Sequence, residues 1–125
     1  MLFHKSQCKV VDNSGAKVAE CIKILGGSHK KVAQVGDIII VSIQKLRNKS
    51  SRSRVTKGSI QKAIVLRTKK EYRRQNNTHY RFHENAIILF KKQGQPLSTR
   101  LFGPVLEDLR LVKDMKILSL ASSYL

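Results

Sequence analysis

Acidic residues are scarce in this 125-residue chain, which has eight Asp and Glu against 25 Lys and Arg. Catalysis needs a positioned acid–base pair, but the acids are scattered along the sequence, and several lie at turn or helix-start positions that explain them structurally. The G-x-S-x-G motif that surrounds many catalytic serines is also absent. We therefore predict that the protein is not an enzyme and uses no cofactor. A small hydrolase is the alternative, and no group of residues supports it.

Cysteine is rare, and the two residues, Cys8 and Cys21, lack the C-x-x-C spacing of zinc sites and disulfide frameworks. Both lie in apolar runs typical of strands, so we expect buried free thiols in a reducing compartment. His79 and His83 could bind a metal, but a stable metal site requires three or four ligands. Surface histidines near RNA are the preferred interpretation, and we predict no metal.

Aromatic residues are few, with three Tyr, four Phe and no Trp. They are dispersed, and the RNP-type aromatic motif of base-reading domains is absent. Tyr72, Tyr80 and Phe82 do lie among arginines, where they could stack on bases, although Phe82 could equally anchor a hairpin. The pattern favours contacts to the nucleic-acid backbone over the reading of bases.

The apolar runs of the chain are all short, and none of them could span a bilayer. The first residues, Met1 to Lys5, resemble neither a signal peptide nor an Arg- and Ser-rich presequence. We therefore expect no membrane partner. We also expect that the protein is either synthesised in the compartment where it functions or is a processed form.

Positive charge is abundant and concentrated. Residues 44–81 hold 13 of the 25 Lys and Arg and a single acid, Glu71, in a chain of net charge +17. Such charge destabilises a compact fold by self-repulsion unless an anionic partner neutralises it. Nucleic acid is the preferred partner, because Lys and Arg bind phosphate with strong, salt-sensitive affinity. The alternatives are a solvated basic surface, an anionic lipid surface, or a free nucleic-acid chaperone.

Short apolar runs separated by turn residues predict a mainly β protein. In residues 17–25, period two places Val18, Ile22 and Ile24 on one face. The continuous apolar run 38–43 is typical of a strand buried on both faces. The predicted strands are 7–11, 17–25, 38–43, 60–68, 85–90 and 115–120.

The chain length predicts one domain, residues 1–125, built as a small β-barrel with a helical appendix. Residues 47–57 lack apolar periodicity and predict a basic loop. Residues 70–82 predict a projecting hairpin that turns at 75–78, where Asn76 and Asn77 suit a tight turn. A helical region is predicted at about 104–113, because Pro104 suits the first position of a helix and acids follow it.

Several segments, taken in order, carry a resemblance to a known family. They are 12–16 (DNSGA), 21–29 (CIKILGGSH), 35–37 (VGD), 63–70 (AIVLRTKK), 81–82, 85–86, 99–105 (TRLFGPV) and 115–121 (MKILSLA). These segments resemble the ribosomal protein L-fourteen family of the bacterial type, over nearly the whole chain. The resemblance implies a closed five-stranded β-barrel with a projecting hairpin and a short C-terminal helical region.

The resemblance also implies partners. Members of the family are constituents of the large ribosomal subunit that bind its rRNA and pack against ribosomal protein L-nineteen. They face small-subunit rRNA across an intersubunit bridge, and in bacteria and organelles a ribosome-silencing factor docks on the same face. The docking residues correspond here to Thr99, Arg100 and Lys116.

Basic residues in loops and at strand ends are the predicted RNA contacts, since Arg and Lys bind phosphate as a fork or a point charge. They are Lys23, His29, Lys30, Lys31, Arg47, Lys49, Arg52, Arg54, Arg67, Lys69, Lys70, Arg73, Arg74 and Arg81.

Two departures from the family pattern bear on the compartment. Asn76 and Asn77 stand where the family usually has Asp-Gly, and the basic loop 47–57 is longer and richer in Arg and Ser than the bacterial norm. Together with the immediate start of the fold, they favour an organellar version, with the mitochondrion as first choice and a plastid or a bacterium as alternatives.

Overall fold

The computed structural model describes residues 1–47, 53–112 and 115–125. Lys49 and Arg52 of the predicted basic loop, and the residue at which the predicted helix ends, lie outside these ranges. In chain order the strands are β1 (Gln7–Val10), β2 (Ala16–Ile24), β3 (Ile38–Leu46), β4 (Ile60–Arg67), β5 (Tyr72–Arg73), β6 (His79–Tyr80), β7 (Ala86–Phe90), β8 (Pro104–Val105) and β9 (Ser123–Tyr124). A 3-10 helix (Glu107–Val112) and α1 (Met115–Leu120) lie between β8 and β9.

Five strands close into a barrel in the order β1-β2-β3-β4-β7. Neighbouring strands are antiparallel except β1 and β7, which pair in parallel and close the barrel at Lys9–Ala86 and Val10–Ile87. Closure removes the unpaired edges through which sheets aggregate. The predicted five-stranded barrel with a C-terminal helical region is therefore confirmed.

β4 and β7 are the strands with two buried faces. Their inward residues, such as Val65 and Ile87, fill the barrel, while Ile64 and Ile88 pack outside it against Leu109 of the 3-10 helix. The prediction placed the doubly buried strand at 38–43 instead. That was wrong, because the C-terminal region covers β4 and β7 and leaves the outer face of β3 partly in solvent, with Ile38 41% exposed.

The inward face of β2 also differs from the prediction. Ala19, Cys21 and Ile24 are buried, whereas Ile22 is 36% exposed. Register shifts interrupt the pairing with β3, one of them between Cys21 and Lys23. A bulge adds a residue to one strand and so breaks the alternation of faces. Period two alone could not locate that break.

The C-terminal region is arranged differently from the prediction. Pro104 and Val105 form a short strand paired in parallel with β9, and the 3-10 helix begins only at Glu107. The run 115–120, predicted as a strand, is α1. Its consecutive residues Ile117 and Leu118 are both buried against the outer face of the barrel, which strand alternation would not allow.

The hairpin is formed by β5 and β6, with Tyr72 opposite Tyr80. Its turn is closed by two hydrogen bonds, from the amide of Arg74 to the carbonyl of Thr78 and from the amide of Asn77 to the carbonyl of Arg74. Asn77 takes a left-handed conformation with φ of 63°, which Asn tolerates better than other side chains. The turn predicted at 75–78 is thus present.

Candidate nucleic-acid interface

Most of the predicted RNA contacts lie on the surface. Of those in the described ranges, all are exposed except Arg67, which is buried, and Arg74, which is half-buried. They lie near strand ends and in the connections between strands. The exposed set is Lys23, His29, Lys30, Lys31, Arg47, Arg54, Lys69, Lys70, Arg73 and Arg81.

The connection after β2 presents three of these residues. A turn at Gly26, with φ of 108°, leads into exposed His29, Lys30 and Lys31. Lys30 forms an ion pair with Asp37, with 2.8 Å from Nζ to Oδ1. His29 and Lys31 have no ion pair among the described residues, so their side chains face solvent and are available to phosphate.

The described ends of the basic loop are anchored to the turn before β2. The amide of Arg47 donates to the carbonyl of Gly15 at 2.9 Å, and the amide of Arg54 donates to that of Ser14 at the same distance. Asp12 holds this turn by accepting hydrogen bonds from the Ser14 amide and hydroxyl, and from the amide of Leu89 in β7. The arginines that flank the loop therefore start from fixed positions.

The guanidinium groups of Arg47 and Arg54 also reach back to the barrel. Arg47 Nη2 donates to the Val10 carbonyl at 2.8 Å, and Arg54 Nη1 donates to the Leu97 carbonyl at 2.6 Å. A guanidinium carries five N–H donors, so each contact leaves donors for an incoming phosphate.

Arg67 does not fit the prediction of an RNA contact, because it is only 5% exposed. Its Nη1 donates to the carbonyls of Phe102 and Pro104 at 3.2 Å each, and its Nη2 lies 3.3 Å from Glu84 Oε1. Burial lowers the pKa of Arg67, and the charge of Glu84 opposes that shift. Arg67 therefore connects two segments of the protein to each other. Its position at the end of the buried run 63–66 was the one sequence signal for this.

Arg74 joins the hairpin to the C-terminal region. Its Nε lies 2.8 Å from Asp108 Oδ2, its Nη2 donates to the Leu125 carbonyl at 2.7 Å, and its guanidinium stacks 4.5 Å from the centroid of the Tyr80 ring. The hydrogen bond to Asp108 raises the pKa of Arg74. The hairpin is thus docked through Arg74, while Arg73 and Arg81 remain exposed on it.

The three predicted docking residues are all exposed. Thr99 is fixed by Asn13, whose side chain exchanges two hydrogen bonds with it at 2.9 and 3.1 Å. Arg100 lies 5.6 Å from the Phe102 ring centroid. The next residue, Leu101, donates its amide to the Leu120 carbonyl of α1, the helix that carries Lys116. This bond joins the 99–101 segment to α1.

A cleft that the sequence did not predict lies beside Arg67. We name it the Arg67 cleft; it has a volume of about 800 Å³ and is open to solvent. Its lining combines cations, aromatic rings and one acid: Lys9, Lys17, Arg47, Arg67, Phe82, His83, Glu84 and Phe102, with Val11, Gly103 and Pro104. These residues come from five separate parts of the chain (9–17, 47, 67, 82–84 and 102–104), so spacing along the sequence could not indicate the cleft.

The cysteines are free and buried, as predicted. Burial raises the pKa of the Cys8 thiol to about 12 and also raises that of Cys21. In the described part of the chain no three His, Cys, Asp or Glu side chains come together as metal ligands would. The same ranges hold no helix of the length and apolar character needed to cross a membrane.

The whole chain, residues 1–125, matches the family described as Ribosomal protein L14p/L23e. This match agrees with the resemblance seen in the sequence, and with the closed five-stranded barrel that the resemblance implied. The chain therefore belongs to this ribosomal protein family, and it is a structural, non-enzymatic component of the large ribosomal subunit in translation.

Proposed function

We propose that the protein binds large-subunit rRNA directly, and that its exposed cations contact the phosphates, which carry no sequence information. The observation that carries this proposal is the set of exposed cations on a rigid barrel. Within the described ranges, Lys23, Lys31, Lys69, Lys70 and Arg81 form no ion pair with an acid. Uncompensated charge at fixed positions is what a phosphate backbone neutralises, with release of counterions.

The proposed interface comprises the exposed set together with Lys49 and Arg52, which are included for their charge alone. Arg67 is left out because it is buried, and Arg74 because its donors are bound to Asp108 and Leu125. Arg73 and Arg81 place the hairpin against RNA, while the docking through Arg74 fixes the direction in which it points.

A second face serves neighbouring macromolecules in this proposal. Thr99, Arg100 and Lys116 are exposed, and the hydrogen bond between Leu101 and Leu120 connects their segments. We assign this face to the intersubunit side, where it would meet small-subunit rRNA across a bridge and receive a ribosome-silencing factor. Ribosomal protein L-nineteen is the proposed neighbour within the large subunit.

The compartment is part of the same proposal. The long basic loop and the Asn76–Asn77 hairpin tip favour a mitochondrial ribosome, with a plastid or a bacterial ribosome as alternatives. Fractionation of source cells, followed by detection of the protein in ribosomes from each fraction, distinguishes these compartments.

Binding of the purified chain to large-subunit rRNA tests the proposal, with the affinity measured over a range of salt concentrations. The double variant Lys69→Gln/Lys70→Gln should reduce the slope of log affinity against log salt by about two, or about one per lost phosphate contact. Lys91→Gln/Lys92→Gln is the matched control, since both lysines are exposed and lie outside the proposed interface. Equal effects of the two variants would contradict the assigned contacts.

A further inference from the structure

The Arg67 cleft lies between two segments that Arg67 ties together. Glu84 belongs to one segment, and Phe102 and Pro104 belong to the other; all three accept hydrogen bonds from the Arg67 guanidinium. Arg67 is buried and is one of the residues that line the cleft. The volume of about 800 Å³ falls within the range of roughly 300–1,000 Å³ that small ligands fill. A cleft of this volume has room for one nucleotide.

The cleft offers planar groups on which a base could stack. Phe102 is 39% exposed. The guanidinium carbon of Arg47 lies 5.3 Å from the centroid of its ring. Phe82 lines the same cleft and is only half-buried. Unpaired RNA bases stack on aromatic rings and on guanidinium planes, so these groups match the face of a nucleobase.

The charge of the cleft matches an RNA strand on either side of that base. Lys9, Lys17 and Arg47 line it and are exposed, while Glu84 is the one acid in its lining. Phosphates on both sides of an inserted base would meet these cations, which is the complementarity that RNA backbone contacts require. An apolar peptide would find no such match.

The lining of the cleft also offers a carboxylate, that of Glu84, for the edge of a base. Glu84 is held at both oxygens, by Lys9 at 3.0 Å and by Arg67 at 3.3 Å, yet its side chain is 39% exposed. A carboxylate accepts hydrogen bonds from the amino groups of bases.

We propose that the Arg67 cleft receives a single unpaired nucleobase of an RNA strand, and that Glu84 favours a base with an amino group on its edge. The inference rests on the RNA-binding function proposed above and goes beyond it, since phosphate binding alone needs no cleft. Guanine, adenine and cytosine carry such an amino group, and uracil does not.

The test uses the full chain and stem-loop RNAs that differ at one position. That position holds a bulged guanosine, a bulged uridine, a bulged abasic nucleotide, or no bulge. Dissociation constants are measured by fluorescence anisotropy at one fixed salt concentration. We expect the bulged guanosine to bind about 5- to 150-fold more tightly than the abasic nucleotide, which is the range that base–aromatic stacking contributes. Uridine should fall between them.

Two variants assign the preference to the cleft. Phe102→Leu keeps an apolar side chain but loses the ring, and it should remove most of the difference between guanosine and the abasic nucleotide. Phe3→Leu is the matched control, because Phe3 is 52% exposed and lies outside the cleft. Glu84→Gln should reduce the preference for guanosine over uridine.

The failure of this inference is distinguishable from the failure of the proposed function. Salt-dependent binding with equal affinity for all four RNAs would overturn the cleft inference and leave phosphate binding standing. An unchanged base preference in Phe102→Leu would overturn the inference too. An absence of binding to any RNA at low salt would overturn both. The comparison of RNAs with the unmodified chain does not depend on the folding of a variant.

Discussion

The guanidinium of Arg67 lies directly against Gly103, so that a Cβ at position 103 would stand 2.2 Å from Nη1. The carbonyls on either side of this glycine, those of Phe102 and Pro104, accept the hydrogen bonds of the same Nη1. The backbone at Gly103 has φ of 85°, a conformation that residues with a side chain rarely adopt. The buried position of the Arg67 guanidinium on the barrel therefore requires a residue without a side chain at position 103.

Gly103→Ala should destabilise the protein strongly. The new methyl group combines the strain of positive φ with a clash against a buried guanidinium, so we expect a loss of about 2–4 kcal/mol in the free energy of unfolding. Urea denaturation measures it. Gly94→Ala is the matched control, since Gly94 has φ of 79° but nothing within 4 Å of its Cβ. It should lose only about 1 kcal/mol from strain. Equal losses would contradict the packing of Arg67 on Gly103.

Arg67→Met should separate stability from RNA binding. Loss of the buried guanidinium leaves the carbonyls of Phe102 and Pro104 without its hydrogen bonds and removes one of the two ion pairs of Glu84, at a cost of about 2–4 kcal/mol in the free energy of unfolding. The salt slope of RNA binding should stay the same, because Arg67 contacts no phosphate in our account. Unchanged stability together with a salt slope reduced by about one would show instead that Arg67 contacts a phosphate and does not stabilise the fold.

Arg74→Gln should release the hairpin from the C-terminal region. The side chain bonds Asp108 and Leu125 from within the hairpin, so its loss should speed amide hydrogen exchange at the turn amides of Arg74 and Asn77. Arg73→Gln is the control in the same hairpin, since Arg73 is exposed and its side chain bonds that of Asn77 within the hairpin. Unchanged exchange in Arg74→Gln would show that another contact holds the hairpin.

Alkaline pH should destabilise the fold through Cys8. Its pKa is about 12 in the folded protein and near 9 when exposed, so between these values the unfolded chain ionises the thiol and the native protein does not. Its contribution to stability is complete below pH 9 and is lost above it, by up to about 1.4 kcal/mol per pH unit. Urea titrations at pH 8 and pH 10, compared with Cys8→Ala, isolate this contribution. The same change with pH in both proteins would exclude it.

Much of the fold was predictable from the sequence because barrel strands leave local signals. Turn residues bound the apolar runs, and the runs at 7–11, 60–68 and 85–90 coincide with β1, β4 and β7 to within one or two residues. The bulges of β2 leave no such signal, because pairing with β3 decides them. The run 115–120 is too short for periodicity to distinguish a strand from a helix, and packing on the barrel makes it helical.

The sequence also indicated the exposed cations of the candidate site that lie in loops, but not the residues whose position depends on distant contacts. Lysines such as Lys31 and Lys69 stand in loops, where nothing competes with solvent for their charge, and they are exposed as expected. Arg67 and Arg74 are withdrawn from solvent by contacts with Gly103 and Asp108, respectively, which are distant in the sequence. The Arg67 cleft has the same origin, since only the closed barrel brings its segments together.

The central claim is that the exposed cations contact rRNA directly in the large subunit. Cross-linking of RNA to protein in purified large subunits, read by mass spectrometry, tests it most directly. We predict cross-links on peptides that contain residues 23–31 and 69–81, and none on Lys91 or Lys92. Cross-links concentrated at Lys91 and Lys92, with none at the predicted segments, would contradict the account.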